Sequence, residues 1–278
     1  MRIRFWGVRG TIPTPGAGTL RLGGNTACLD ILTSDDQVII LDAGTGIRNL
    51  GKALQKAYSG RVVGTMLISH THWDHIQGFP FFAPNLTRHN RFVVLGQQRI
   101  GRRLEQILAG QIVEPYLPFG YKQLLADLLV KEIKGGESVV VGNETVIRVA
   151  ELWHPGGCLG FRIENNGAIL TYCTDCAHRP GQLNPQVIEL ARGADLLVHD
   201  AQFTPEEAET YPTWGHSSWQ EATQVADQAQ VKQLALFHYA PDASDDEMEV
   251  RLIEARKVFP QTILSYEGLE MTLPHLPR

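Results

Sequence analysis

The stretch Ser69-His70-Thr71-His72-Trp73-Asp74-His75 limits what this chain can fold into more than any other. It follows directly on an apolar, β-like run, Val62-Val63-Gly64-Thr65-Met66-Leu67-Ile68. Four side chains able to bind a metal ion therefore crowd the point where a strand should end. Three imidazoles and a carboxylate this close repel one another when the imidazoles are protonated, and they are costly to bury unpaired. A cation removes both difficulties, because Zn²⁺, Mn²⁺ and Fe²⁺ accept neutral imidazole and carboxylate as donors. The competing reading is a solvated loop rich in histidine by chance, for which H-x-H-x-D-H is too dense.

The 278 residues can fill one large domain or two small ones, and we read 1–278 as one. Apolar residues at 43% and charged residues at 20% are ordinary for a globular chain. A net charge of −5 gives no general attraction to nucleic acid. Residues 1–6 have no apolar signal core and no run approaches a membrane span, so a cytoplasmic protein is expected. Cys28, Cys158, Cys173 and Cys176 lack the paired spacing of a zinc site and read as free thiols.

In chain order, strands are predicted over 2–6, 27–33 and 38–41, then a helix over 47–58 and a strand over 62–69. Residues 7–18 form a long Gly/Pro loop, a kind of segment that is usually functional inside a compact domain. Asp42 sits where its strand meets Gly44 and Gly46. It reads equally as a rim carboxylate or as the cap of the following helix. Residues 91–95 read as a strand and 99–108 as a helix whose Arg102-Arg103 form a solvated face, while 113–125 look like an irregular rim. Strands follow over 130–133, 138–141, 145–152 and 159–163. Asn165-Asn166-Gly167 is a strong hairpin signal leading into a strand over 168–173. Helices over 185–192, 219–229 and 242–258 alternate with strands at 195–198 and 231–237. His178 receives no role.

One pattern runs through this reading. Asp42, His70, His154, Asp175, Asp200 and His238 all lie at or near the C-terminal end of a predicted strand. Open sheets bind ligands beyond those ends. With His72, Asp74 and His75, seven candidate ligands converge: His70, His72, Asp74, His75, His154, Asp175 and His238. One zinc with an open position needs three protein ligands, so seven suit two ions sharing a carboxylate. Two such ions can hold a bridging hydroxide and clamp the oxygens of a phosphoryl or acyl centre.

His70-Thr71-His72-Trp73-Asp74-His75 matches in full the H-x-H-x-D-H signature of the metallo-β-lactamase fold superfamily. Asp42, His154, Asp175 and His238 follow in that family's order. The resemblance implies an α/β (α+β) four-layer αβ/βα sandwich: two mixed β-sheets face to face, helices outside, metals at one edge. It implies one ion on His70, His72 and His154, a second on Asp74, His75 and His238, Asp175 between them, and Asp42 orienting a ligand imidazole. Zinc is the expected metal, with manganese or iron as alternatives.

His199-Asp200-Ala201-Gln202-Phe203 followed by Gly215-His216-Ser217-Ser218 is similar to the family's phosphodiesterase branch. That branch contains the transfer-RNA 3′-processing endonucleases and the cyclic phosphodiesterases. There the histidine protonates the leaving alkoxide or steadies a phosphate oxygen, and the acidic residue orients it. His216 and Asp200 inherit those roles and, with Asp74, form the expected catalytic set. An alkoxide leaves poorly, and a positioned acid is worth ~10²–10⁴ in rate. The transfer-RNA enzymes commonly carry a long arm between the motifs that match His154 and Asp175, where this chain has twenty residues. The sequence therefore favours a dinuclear hydrolase of a small-molecule phosphodiester, cyclic-nucleotide-like, over nucleic acid. The alternatives are a transfer-RNA-processing endoribonuclease and an acyl hydrolase such as a thioesterase, lactonase or β-lactamase. No membrane partner is expected, and the apolar residues 79–82 suit a homodimer contact or a substrate pocket.

Overall fold

The computed structural model describes residues 1–179 and 181–274. The first sheet holds β1 (Arg2–Gly7), β2 (Cys28–Leu32), β3 (Val38–Leu41), β4 (Val63–Leu67), β5 (Arg91–Gly96) and β6 (Asp127–Glu132). The second holds β7 (Ser138–Val141), β8 (Thr145–Leu152), β9 (Cys158–Asn165), β10 (Ala168–Cys173), β11 (Leu196–Asp200), β12 (Leu234–Phe237) and β13 (Thr262–Leu264). The last strand, β14 (Glu270–Thr272), returns to pair with β1. Both sheets are mixed. β1 to β3 run antiparallel and β3 to β6 parallel; β7 to β10 run antiparallel and β10 to β13 parallel.

The alternation of side chains along a strand decides the layering. On β3, Ile39 and Leu41 join the core between the sheets, while Val38 and Ile40 join a second core under the helices. Strands covered on both faces read as continuous apolar runs, as 38–41 and 62–68 do. The second core is closed by α1 (Ile47–Ala57) and by α3 (Leu104–Gly110) through Leu104 and Leu108. A one-turn helix, α2 (Trp73–Ile76), lies at the rim between them in sequence. On the far side, α4 (Pro185–Ala191), α6 (Trp219–Gln228) and α7 (Asp245–Val258) cover the second sheet, with α5 (Pro205–Thr210) beside α6. The result is the four-layer αβ/βα sandwich. Phe5, Phe161 and Phe237 are fully buried in the inter-sheet core, and each contributes about 1.5–3 kcal/mol.

Helix starts follow local chemistry. Ser218 accepts from the Glu221 amide and Glu221 accepts from Ser218, a reciprocal cap that fixes the start of α6, and Ser244 with Glu247 repeats it on α7. The same device, Thr204 with Glu207 and Pro205 behind it, starts α5, which the sequence reading passed over. The helix predicted over 99–108 begins later, at Leu104. Ile100 and Gly101 both take positive φ, and Arg99 pairs with Arg102 across them, so this segment is a tight turn with Arg102 on its return limb. No helix among the described residues is long and apolar enough to cross a membrane.

Candidate metal centre

β3, β4, β8, β10, β11 and β12 all point their C-terminal ends at one edge of the sandwich, and each is followed there by a sequence-predicted site residue. Asp42 follows β3, Ser69-His70 follow β4, His154 follows β8, Asp175 follows β10, Asp200 ends β11 and His238 follows β12. Asp42, Asp175 and His238 take φ of 59°, 49° and 61°, a left-handed backbone that L-residues rarely hold without cause. His72 is extended and starts α2. Over that single turn Trp73 points out, 74% exposed, while Asp74 and His75 are buried.

These donors form two half-sites joined by Asp175. In the first, His70 Nε2 and His154 Nε2 lie 3.6 and 3.7 Å from Asp175 Oδ1, and His72 Nδ1 lies 3.0 Å from His154 Nε2. In the second, His75 Nε2 and His238 Nε2 lie 3.1 and 3.2 Å from Asp175 Oδ2, and 3.3 and 3.1 Å from Asp74 Oδ2. One oxygen of Asp175 thus serves each group. His70 Nε2 is buried without a hydrogen-bond partner, and His75 Nε2 faces His238 Nε2 at 3.1 Å. Buried nitrogens aimed at one another instead of at a donor are what a divalent cation would satisfy, so the residues fit two such ions.

The protonation tendencies agree. Burial, with His75 beside it, pushes His70 well below the ordinary imidazole value. Partial burial and the Arg99 guanidinium push His72 down to about 4. Burial also lowers His154. These three stand neutral, ready to donate a lone pair. His75 moves the other way: against burial, Asp175, Asp74 and Asp42 raise it, which marks a concentration of negative charge in the second half-site.

Outside the donors, Asp42 is no helix cap, since Gly46 starts α1. Its Oδ2 accepts from His75 Nδ1, Ser69 Oγ and Tyr172 OH, each at 2.8 Å, and Oδ1 accepts from the Ser69 amide at 2.7 Å. The proton of His75 is thereby fixed on Nδ1 and its lone pair aimed at the site. His154 Nδ1 donates to the Gly215 carbonyl at 2.8 Å to the same end. Gly215 has φ +85°, and a Cβ there would meet His154 Nδ1 at 2.5 Å. The Gly/Pro loop packs on the other half. The Thr11 amide donates to Asp74 Oδ2 at 2.7 Å, and a Cβ on Gly10 would meet His238 Cε1 at 2.3 Å.

His216 lies across both halves. Its ring stacks on His238 at 5.1 Å and meets the His154 ring edge-on at 5.3 Å. Its Nδ1 binds Asp200 Oδ2 at 2.8 Å, which leaves Nε2 free to hold a proton. Burial opposes charge on His216, but Asp200 foremost, with Asp175 and Asp74, raises it above the ordinary value.

The structure brings every sequence-predicted site residue to this one edge. Sequence reasoning missed Ser69, Tyr172, Thr11, Gly10, Gly215 and Arg99. Ser69 and Gly215 adjoin the motifs, and the loop length pointed to Gly10 and Thr11; nothing local marks Tyr172. A third group, Cys176, His178 and His199, lies behind the site. His178 Nδ1 accepts the Asn184 amide at 2.9 Å, so its Nε2 carries the proton and the trio lacks three free lone pairs. All four cysteines are free and buried.

A family model described as a beta-lactamase superfamily domain matches residues 37–239. Ribonuclease Z of Methanosarcina acetivorans is 24% identical over 330 aligned positions, covering 100% of this chain and 99% of that protein. Among solved structures, the short form of human tRNase Z aligns with TM-score 0.72 at 19% identity, covering 99% of this chain and 100% of that one. A diphosphatase of the PhnP family aligns with TM-score 0.70 at 16% identity, covering 99% and 98%. At these identities the structural likeness shows the fold.

Proposed function

We propose, from the premise that this chain belongs to the beta-lactamase superfamily and is one of its metal-dependent hydrolases, that the bond it breaks is a phosphodiester. The supporting observation is His216, tied to Asp200 at 2.8 Å and set between the His154 and His238 rings. An ester leaving as an alkoxide needs a proton where it departs, and His216 Nε2 can hold one there. Asp200 fixes the tautomer and raises the basicity of the ring. His70, His72 and His154 would hold one ion and Asp74, His75 and His238 the other, with Asp175 between. Divalent ions there, zinc first among them, would supply Lewis-acid polarisation of phosphoryl oxygens and neutralise developing charge. Asp42 and Gly215 keep two ligand imidazoles in the tautomer that donates inward.

Two readings of substrate size have support. The curated relatives that span this chain are named Ribonuclease Z, which favours transfer-RNA 3′ processing over the small cyclic phosphodiester expected from sequence. A specific observation keeps the second reading. Between His154 and Asp175 the chain spends sixteen of its twenty residues on β9, a two-residue turn at Asn166-Gly167 and β10, so no arm protrudes there. The 330 aligned positions against 278 residues likewise leave at least 52 positions of the archaeal relative with no counterpart here.

Turnover of bis-p-nitrophenyl phosphate against p-nitrophenyl acetate and nitrocefin, with Zn²⁺ or Mn²⁺, tests the reaction. Phosphodiester turnover is expected, and ester turnover alone would sink the proposal. A precursor transfer RNA with a 3′ trailer against a 2′,3′-cyclic nucleotide then decides the size. His216→Ala should keep its metal and lose ~10²–10⁴ in rate.

A further inference from the structure

Beside the first half-site the protein has a basic pocket for which hydrolysis itself gives no reason. It is about 420 Å³, lined by Thr71, His72, Arg99, Ile100, Arg102 and Ile107, with no acidic residue in its wall. Arg99 and Arg102 face each other across the Ile100-Gly101 turn, their backbones doubly bonded at 2.9 Å. Neither guanidinium pairs with a carboxylate among the described residues. Arg99 reaches the Pro155 carbonyl and lies 2.8 Å from His72 Nε2, while its Nη1 is buried without a partner.

The contact with His72 is informative. A guanidinium only donates. A His72 that ligates through Nδ1, the nitrogen facing His154, carries its proton on Nε2 and has nothing there for Arg99 to donate to. Arg99 is then a cation with spare donors, next to a metal ligand and across a pocket from a second unpaired arginine. Two planar donor forks without an acidic partner suit a phosphate. Trp73, next in the chain to His72, is 74% exposed and offers an aromatic face of the kind on which bases stack.

We propose that this pocket is a second phosphate site, which takes a phosphate of the substrate flanking the one being hydrolysed. The proposal rests on the phosphodiesterase reading and narrows it. The substrate carries at least two phosphates, as an oligonucleotide chain does and a cyclic mononucleotide does not. Arg99 and Arg102 are specificity residues, acting on a group that does not react.

Calorimetric binding of adenosine 3′,5′-bisphosphate and adenosine 3′-monophosphate to the zinc-loaded protein tests this without turnover. The bisphosphate should bind about tenfold or more tighter. Arg99→Gln and Arg102→Gln should each bring that ratio towards one, and Arg102→Lys should keep most of it. With a single-stranded oligonucleotide, Arg102→Gln should also reduce the salt slope of binding by about one, which separates a backbone phosphate from a terminal phosphate of a small molecule. Arg99 touches Pro155 and His72, so its variant is read only with its zinc content measured; Arg102 is exposed, and its variant, checked for full zinc content, carries the test. Equal affinities in the unmodified protein, or a ratio that survives both substitutions, overturns the proposal. Phosphodiester turnover without the preference sinks this site alone, while the preference without turnover sinks the reaction.

Discussion

The two halves of the metal centre meet at Asp175; one adds three imidazoles and the other two imidazoles and an aspartate, and their surroundings differ further. The half made by His70, His72 and His154 opens to solvent: His72 is exposed, and its outer nitrogen meets an arginine. The half made by Asp74, His75 and His238 is buried throughout, faces two carboxylates besides Asp42, and is roofed by the Gly10-Thr11 loop. The difference teaches a division of labour. A cation in the closed half replaces solvent with fixed negative charge and pre-aimed lone pairs, so it should be held more tightly. The open half, beside the basic pocket, is where an anion can arrive.

The comparison breaks most completely at the residue the halves share. Asp175→Ala should empty both, with metal content near zero by atomic emission and turnover down on the order of a thousandfold or more. Retention of one full ion would show that the halves are independent. Next in size, Asp42→Asn removes the acceptor that orients His75. It should cost the closed half about 10–100-fold in metal affinity and the open half less. A chelator titration that releases the ions in two phases should then approach one phase; two unchanged phases would refute the assignment of the tighter ion. A smaller effect concerns His216. Its charged form is present below its raised pKa and is lost as pH rises through it, so the alkaline limb of kcat reports that loss. Asp200→Asn removes the foremost raising charge, burial then dominates, and the limb should move to lower pH. A limb that stays in place would remove His216 from the acid role. Smallest in rate, two glycines address the halves separately. Gly10→Ala should disturb only the closed half and Gly215→Ala only the open one, each costing about 1–3 kcal/mol in thermal unfolding.

Much of this was legible before any coordinates. The alternation and apolar runs of 38–41, 62–68, 145–152 and 168–173 placed the strands, because burial on one or two faces writes itself into the residues. His70 to His75 stood out because the segment from β4 into α2 supplies two donors to each half, so four donors stand close in sequence as well as in space. Two things stayed hidden for a common reason, and a third, the role of Asp42, came only through the family resemblance. Tyr172 reaches Asp42 from the middle of the other sheet, 130 positions along the chain, and an ordinary buried tyrosine looks the same. Arg102 read with Arg103 as a helix face, and Arg99 as the start of that helix, because helical spacing survives the insertion of a tight turn, whose sign is a pair of positive φ angles at Ile100 and Gly101. Asp42 could equally have been a cap, and only its partners decide.

The left-handed backbone at Asp42, Asp175 and His238 has a consequence for heat tolerance. Each L-residue held there gives up roughly 1–2 kcal/mol relative to glycine, whose backbone accepts that conformation freely. Aspartate softens the cost but does not remove it. These three positions, where the chain turns over the sheet edge, thus carry a backbone cost at the very residues needed around the metal site. A lineage of this protein selected only for survival at high temperature, with metal withheld, would drift towards glycine at those positions. The metal site would be the first thing it gave up, because bound cations are what make the strained edge worth keeping.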